Sequence, residues 1–116
     1  MYKGILINKQ EQYVAGEDFE FIFVVVDDNG DYVSDFSDWT FRAELYSLAN
    51  SIENESITIT ASGHKVTVSL PNSETEDLND NVNYVLVLKG TLNSKDYNLV
   101  REELYIKSEI LDWKEE

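Results

Sequence analysis

With 116 residues, 23 of them acidic against 9 basic and none of them cysteine, the chain suffices for one hydrophobic core and carries a formal charge of −14. Disulfides and thiolate metal sites are excluded by composition, and the shortage of Lys and Arg argues against gripping a nucleic-acid backbone or an anionic membrane surface. The longest apolar run, Phe21 to Val26, is far short of the roughly 20 residues of a membrane helix, and Met1-Tyr2-Lys3-Gly4 opens no secretion signal, so the chain is expected to be made and kept soluble.

A first strand is expected within residues 3 to 14, near Ile5 to Asn8. Phe19, Phe21, Phe23 and Val25 then fall on one face of a period-two strand. Asp28-Asn29-Gly30-Asp31 predicts a hairpin turn, because Asn-Gly tolerates positive φ. Trp39, Phe41, Ala43 and Leu45 alternate with Thr40, Arg42, Glu44 and Tyr46 in the next strand. Ile57 and Ile59 mark a short one, Gly63-His64 turns it, and Val66, Val68 and Leu70 return on one face. Pro71 to Leu78, acidic and with Ser and Thr as caps, predicts one helical turn.

Val82 to Leu92 is a further strand, with Tyr84, Leu86 and Leu88 as its stripe. Leu99 to Ile110 is the last, with Val100, Leu104 and Ile106 facing inward. Six or seven short strands at this spacing indicate an all-β, antiparallel two-sheet sandwich. Its expected core is Phe21, Phe23, Trp39, Phe41, Val66, Val68, Tyr84 and Leu86. The sandwich is assigned residues 1–108 and an acidic tail 109–116. Trp113, set among charges in that tail, either folds back on the domain or docks elsewhere.

The catalytic inventory is thin. His64, the single histidine, sits in an expected surface turn, and no nucleophile elbow, phosphate loop or His-Glu-x-x-His helix occurs. A glycosidase pair needs a cleft that so small a domain has little material to build. Asp27, Asn29 and Asp31 have the alternate spacing of a calcium loop, but Gly30 stands fourth rather than sixth and no glutamate stands twelfth, so a plain hairpin turn is expected there. Asp77, Asn79 and Asp80 form a second acidic loop. No cofactor and no metal are expected. The acidity itself reads as solubility through self-repulsion, as a face for a basic partner, or as mimicry of nucleic acid.

Two strands are apolar on both faces. Ile22, Val24 and Val26 lie opposite the Phe19–Val25 stripe, and Val85 and Val87 lie opposite Tyr84–Leu88. Either the chain covers them itself or they meet another protein. Placing Phe19–Asp27 beside Val82–Leu92 in one sheet would merge Val24, Val26, Val85 and Val87 into one interface, with Trp113 as a further candidate contact.

The order of several short segments is similar to a known family. Gly16-Glu17-Asp18 opens a long apolar strand, Asp27-Asp28-Asn29-Gly30 turns it, and Val33 to Leu45 follows, with Asp38 where a glycine is common and Phe36 where a leucine is usual. Val66 to Leu70, Glu74-Thr75-Glu76-Asp77-Leu78 and Asn83 to Leu88 come next, in the same order. Together, over residues 16–107, they resemble the small immunoglobulin-like domains of tailed-phage structural proteins, such as the N-terminal domain of the baseplate upper protein. The resemblance implies an immunoglobulin-like sandwich without catalytic residues. It implies a virion structural or docking protein of the baseplate, tail or capsid surface, made in the host cytoplasm. Its partners would be other virion proteins or further copies of itself, with no nucleic acid and no membrane. Two other functions stand beside it: a carbohydrate- or host-surface-binding module stacking ligands on Tyr97, Tyr105 or Trp113, and an acidic inhibitor mimicking nucleic acid.

Overall fold

The computed structural model describes residues 2–10, 13–47, 51–52, 57–75 and 82–107, with the backbone alone at 51–52, 82 and 107. In chain order they form β1 (Lys3–Leu6), β2 (Tyr13–Val14), β3 (Phe19–Val26), β4 (Trp39–Tyr46), β5 (Ser51–Ile52), β6 (Thr58–Ser62), β7 (Lys65–Leu70), the helical turn α1 (Asn72–Thr75), β8 (Val82–Leu92) and β9 (Lys95–Lys107). One sheet has the order β1-β3-β7-β6, the other β2-β9-β8-β4-β5. The pairings are antiparallel except β2 with β9, which is parallel. The N-terminal region thus contributes an edge strand to each sheet, and the whole is an immunoglobulin-like sandwich.

Alternation builds the core. Phe21, Phe23, Val66, Val68, Tyr84 and Leu86 are fully buried between the sheets, and Trp39 is nearly so. Phe41 is only partly buried and packs on the rim of that core. The expected helical turn is present as α1, and β8 has the expected bounds.

Three local expectations change. The Asp28–Asp31 turn does not make a full hairpin. Gly30 takes φ +83° and Tyr32 bridges back to Val26, but the chain then crosses to the other sheet. β3 already has β1 and β7 on its two sides, which leaves no room for a third neighbour. The first strand begins at Lys3, earlier than expected. Ile7 still donates to the Ile22 carbonyl, and the Asn8 side-chain amide then replaces a peptide, donating to Glu20 O and accepting from Ile22 N–H. The last strand begins at Lys95 rather than Leu99. Asn93 and Ser94 both adopt positive φ, +53° and +66°, the geometry of a two-residue hairpin turn without glycine. A bulge then sets Leu99 as an extra residue between the Leu88–Val100 and Lys89–Asn98 pairs, which breaks the alternation.

The sheets meet closely beside that bulge. A Cβ on Gly4 would stand 2.6 Å from Val100 Cγ2 of the other sheet, and within the second sheet one on Gly90 would stand 2.8 Å from the Trp39 ring on the neighbouring strand. At the other end of the sandwich Thr75 is fully buried. Its hydroxyl donates to the Glu17 carbonyl at 2.6 Å and accepts from the Gly16 N–H at 3.1 Å. Asp18 accepts from the Asn72 N–H at 2.6 Å, tying the start of α1 to the same turn.

Two expectations follow. Thr75→Val keeps the shape but strands the two backbone partners, and should lower the unfolding free energy by about 1–3 kcal/mol in urea titration. Tyr13 is buried, and its hydroxyl accepts from the Gln10 N–H at 3.0 Å. Burial holds its pKa above the ordinary value of 10.0. The folded state therefore keeps the proton longer than the unfolded chain. Stability should be intact below pH about 10 and fall as pH rises past it. Tyr13→Phe should flatten that alkaline decline in denaturation curves taken across the range.

Candidate interaction surfaces

Residues paired across antiparallel strands share a face, so register assigns each outward side chain. Lys3 pairs with Val26 and Ile5 with Val24, while Thr67 pairs with Ile22 and Lys65 with Val24. Ile7 continues this row beside Ile22. The outer face of the β1-β3-β7-β6 sheet therefore holds an apolar stripe of Ile5, Ile7, Ile22, Val24 and Val26. Beside it runs a row of hydroxyls, Thr67, Ser69, Thr58 and Thr60. Ile5 is 41% exposed and Ile7 49%, whereas Val24, in the middle, is only 4% exposed. Tyr32 is exposed next to Val26, and its ring stacks on His64 at 5.3 Å.

Val85 and Val87 lie elsewhere. Their strand belongs to the other sheet, so β3 and β8 are not neighbours and the four valines do not form one patch. The pairs occupy opposite outer surfaces of the sandwich. Around Val85 and Val87 the flanking strands set Tyr46, Glu44, Arg101 and Glu103. Arg101 Nη1 donates to the Tyr46 hydroxyl at 2.8 Å, a bond that runs from β9 to β4 across the β8 valines. These two valines are half-buried beneath the chain's own polar side chains. A shallow groove of about 620 Å3 runs beside them, with Lys89, Asn98, Glu44 and Arg101 among its walls.

The remaining candidates resolve individually. Tyr97 is half-buried, edge-on to Tyr2 at 5.0 Å, within an aromatic group that includes Trp39. It helps close the core rather than presenting a free stacking face. Tyr105 is 37% exposed on the β8–β9 outer face, opposite Asn83. Asp27 Oδ1 accepts from the Asn29 and Asp31 N–H groups at 2.9 and 3.1 Å, so this carboxylate organises its own turn. Asp35 accepts from the Ser37 N–H at 3.0 Å in the same crossover, and this bond holds its carboxyl below the ordinary value. Among the described residues no group of three or more His, Asp or Glu side chains is placed to hold a metal ion. Trp113, the tail 109–116, and Asp77, Asn79 and Asp80 lie outside the described residues.

Sequence reasoning passed over Ile5, Ile7 and Tyr32 as surface residues. The signal was present in Ile5 and Ile7, two residues apart in a short strand whose other face is Gly4 and Leu6.

The buried and half-buried valines should respond differently to the same change. Val24→Thr places a hydroxyl in a covered site and should cost about 1–3 kcal/mol in the isolated domain. Val87→Thr should stay within about 0.5 kcal/mol. Equal losses in thermal or denaturant unfolding would contradict this assignment.

No protein-family model and no curated protein matches the chain. Among solved structures it is similar to the Lin-41 filamin domain, with 15% identity, a TM-score of 0.57, and coverage of 90% of this chain and 91% of that one. It is also similar to the twitchin kinase region from C. elegans, with 8% identity and a TM-score of 0.48, covering 92% of this chain and 16% of that one. The likeness to the filamin domain is one of fold, and it agrees with the strand order: an all-β, immunoglobulin-like two-sheet sandwich.

Proposed function

We propose that the chain is a non-enzymatic structural or docking component of a tailed-phage particle, held by contacts with other virion proteins in the baseplate, the tail or the capsid surface. The resemblance over residues 16–107 motivates this reading, and one contact supports it beyond strand-like spacing. Two of the resembling segments, Gly16-Glu17-Asp18 and the one containing Thr75, meet through the Thr75 hydroxyl across 58 residues of chain. The segments that carry the resemblance are therefore joined in this fold as well as ordered along the chain. A binding role also suits the exposed Ile5, Ile7 and Tyr32. The single histidine has an aromatic ring as its neighbour, which supplies neither a nucleophile nor an orienting carboxylate.

Mass spectrometry of purified particles tests the proposal. The protein should co-purify with particles at a fixed ratio to known structural proteins. Reproducible absence from particles, despite expression during infection, would reject it.

A further inference from the structure

We propose that the outer face of the β1-β3-β7-β6 sheet binds a second copy of this chain, face to face, about a two-fold axis that crosses the strands between Ile22 and Val24. This inference rests on the layout of the face and not on the phage reading.

The face is poor in acid. On its strands the charged residues are Lys3, Lys65 and Glu20, a single acid against two bases. Their order along β3 is polar. Glu20 stands at one end, beside Ser69. Lys3 stands at the other end beside Val26, with Lys65 one step inward beside Val24. Between them lie Ile22 and Val24 on β3, matched by Ile7 and Ile5 on β1.

A rotation of 180° about an axis in the plane of the face, perpendicular to the strands, reverses this order. It sets Ile5 over the other copy's Ile7 and Ile22 over its Val24. The same rotation brings each Glu20 to the lysine end of the other copy. An isologous interface must be complementary to itself in this way. Here the midpoint of the β1 isoleucines coincides in register with the midpoint of the β3 pair, so one axis serves both strands. The charge pattern selects the antiparallel arrangement, because an axis along the strands would bring the lysine ends of the two copies together. The exposed isoleucines supply the apolar area that is covered.

Four strands about 4.8 Å apart and about 3.3 Å per residue give a face on the order of 450 Å2 per copy. That is small for a specific interface, which places the dimer at the weak, reversible end. It would therefore form at high concentration, or where a larger assembly holds copies close together.

Sedimentation velocity on the full chain, from low micromolar to near-millimolar at physiological salt, should show a reversible monomer–dimer equilibrium. Ile5→Thr with Ile7→Thr should weaken it about tenfold or more while leaving the circular dichroism spectrum unchanged. A second test does not depend on the core. Glu20→Lys makes the face wholly positive, and Lys3→Glu with Lys65→Glu makes it wholly negative. Each of these variants should be monomeric alone, and an equimolar mixture should form a heterodimer. A wild-type chain that stays monomeric throughout would overturn the proposal. So would a dimer indifferent to the isoleucine changes, or charge variants that do not pair when mixed.

Discussion

One position without a side chain sets how closely the two sheets approach, and a second makes room within one sheet. Gly4 on β1 lies against Val100 and Leu99 of the other sheet, and Gly90 on β8 lies against the Trp39 ring. A Cβ on Gly4 would stand 2.6 Å from Val100 Cγ2, so a larger residue there would push the sheets apart beside the bulge, whereas a Cβ on Gly90 would press on the Trp39 ring of its own sheet. The bulge depends on this space. It lets Tyr97 reach the Trp39 cluster and still returns Val100, Leu104 and Ile106 to the core face. Without the extra residue, one of these two sets would point into water. The same shift leaves Arg101 outward beside Val87, within reach of Tyr46.

The far end of the sandwich is held by polar chemistry instead. A buried hydroxyl there satisfies one donor and one acceptor of the β2–β3 turn, and a carboxylate caps the start of the helical turn. In a low-dielectric setting such bonds matter mainly because leaving them unmade is costly. Farther along the chain, Lys9 reaches Glu102 at 2.6 Å and ties the β1–β2 crossover to β9. Both of its partners are partly exposed, so it contributes orientation more than stability.

The two outward apolar rows show how one pattern serves different ends. Near Val85 and Val87 the flanking strands supply an arginine and a tyrosine that bond across the row. Near Val24 the β7 neighbour is Lys65 but the β1 neighbour, Ile5, is itself apolar, and the row widens on that side into an exposed pair, Ile5 and Ile7. Acidic residues gather elsewhere, with Asp27, Asp28, Asp31, Asp35 and Asp38 all in or beside the β3–β4 crossover. Charge at loops and its scarcity on one flat face is a distribution that keeps the chain dispersed while leaving that face able to make contact.

The alternation of Phe19 to Val25, Trp39 to Leu45, Val66 to Leu70 and Tyr84 to Leu88 by itself determined that the chain is a β-sandwich and which face of each strand turns inward, with Phe41 alone in these rows left at the rim of the core. Period two is a local property, and each strand carries its own inward face. Composition alone also excluded disulfides. The partners of each strand were not readable this way, because an apolar row does not record which sheet it joins. Only the tertiary structure decided that β3 pairs with β1 and β7, and that Val24 and Val85 face opposite ways. It also decided the start of β9, since Asn93-Ser94 lacks the usual glycine and Leu99 interrupts the alternation. Whether an outward valine is covered depends on what the neighbouring strands place beside it. Those neighbours are fixed by pairings between distant segments, which no local pattern specifies.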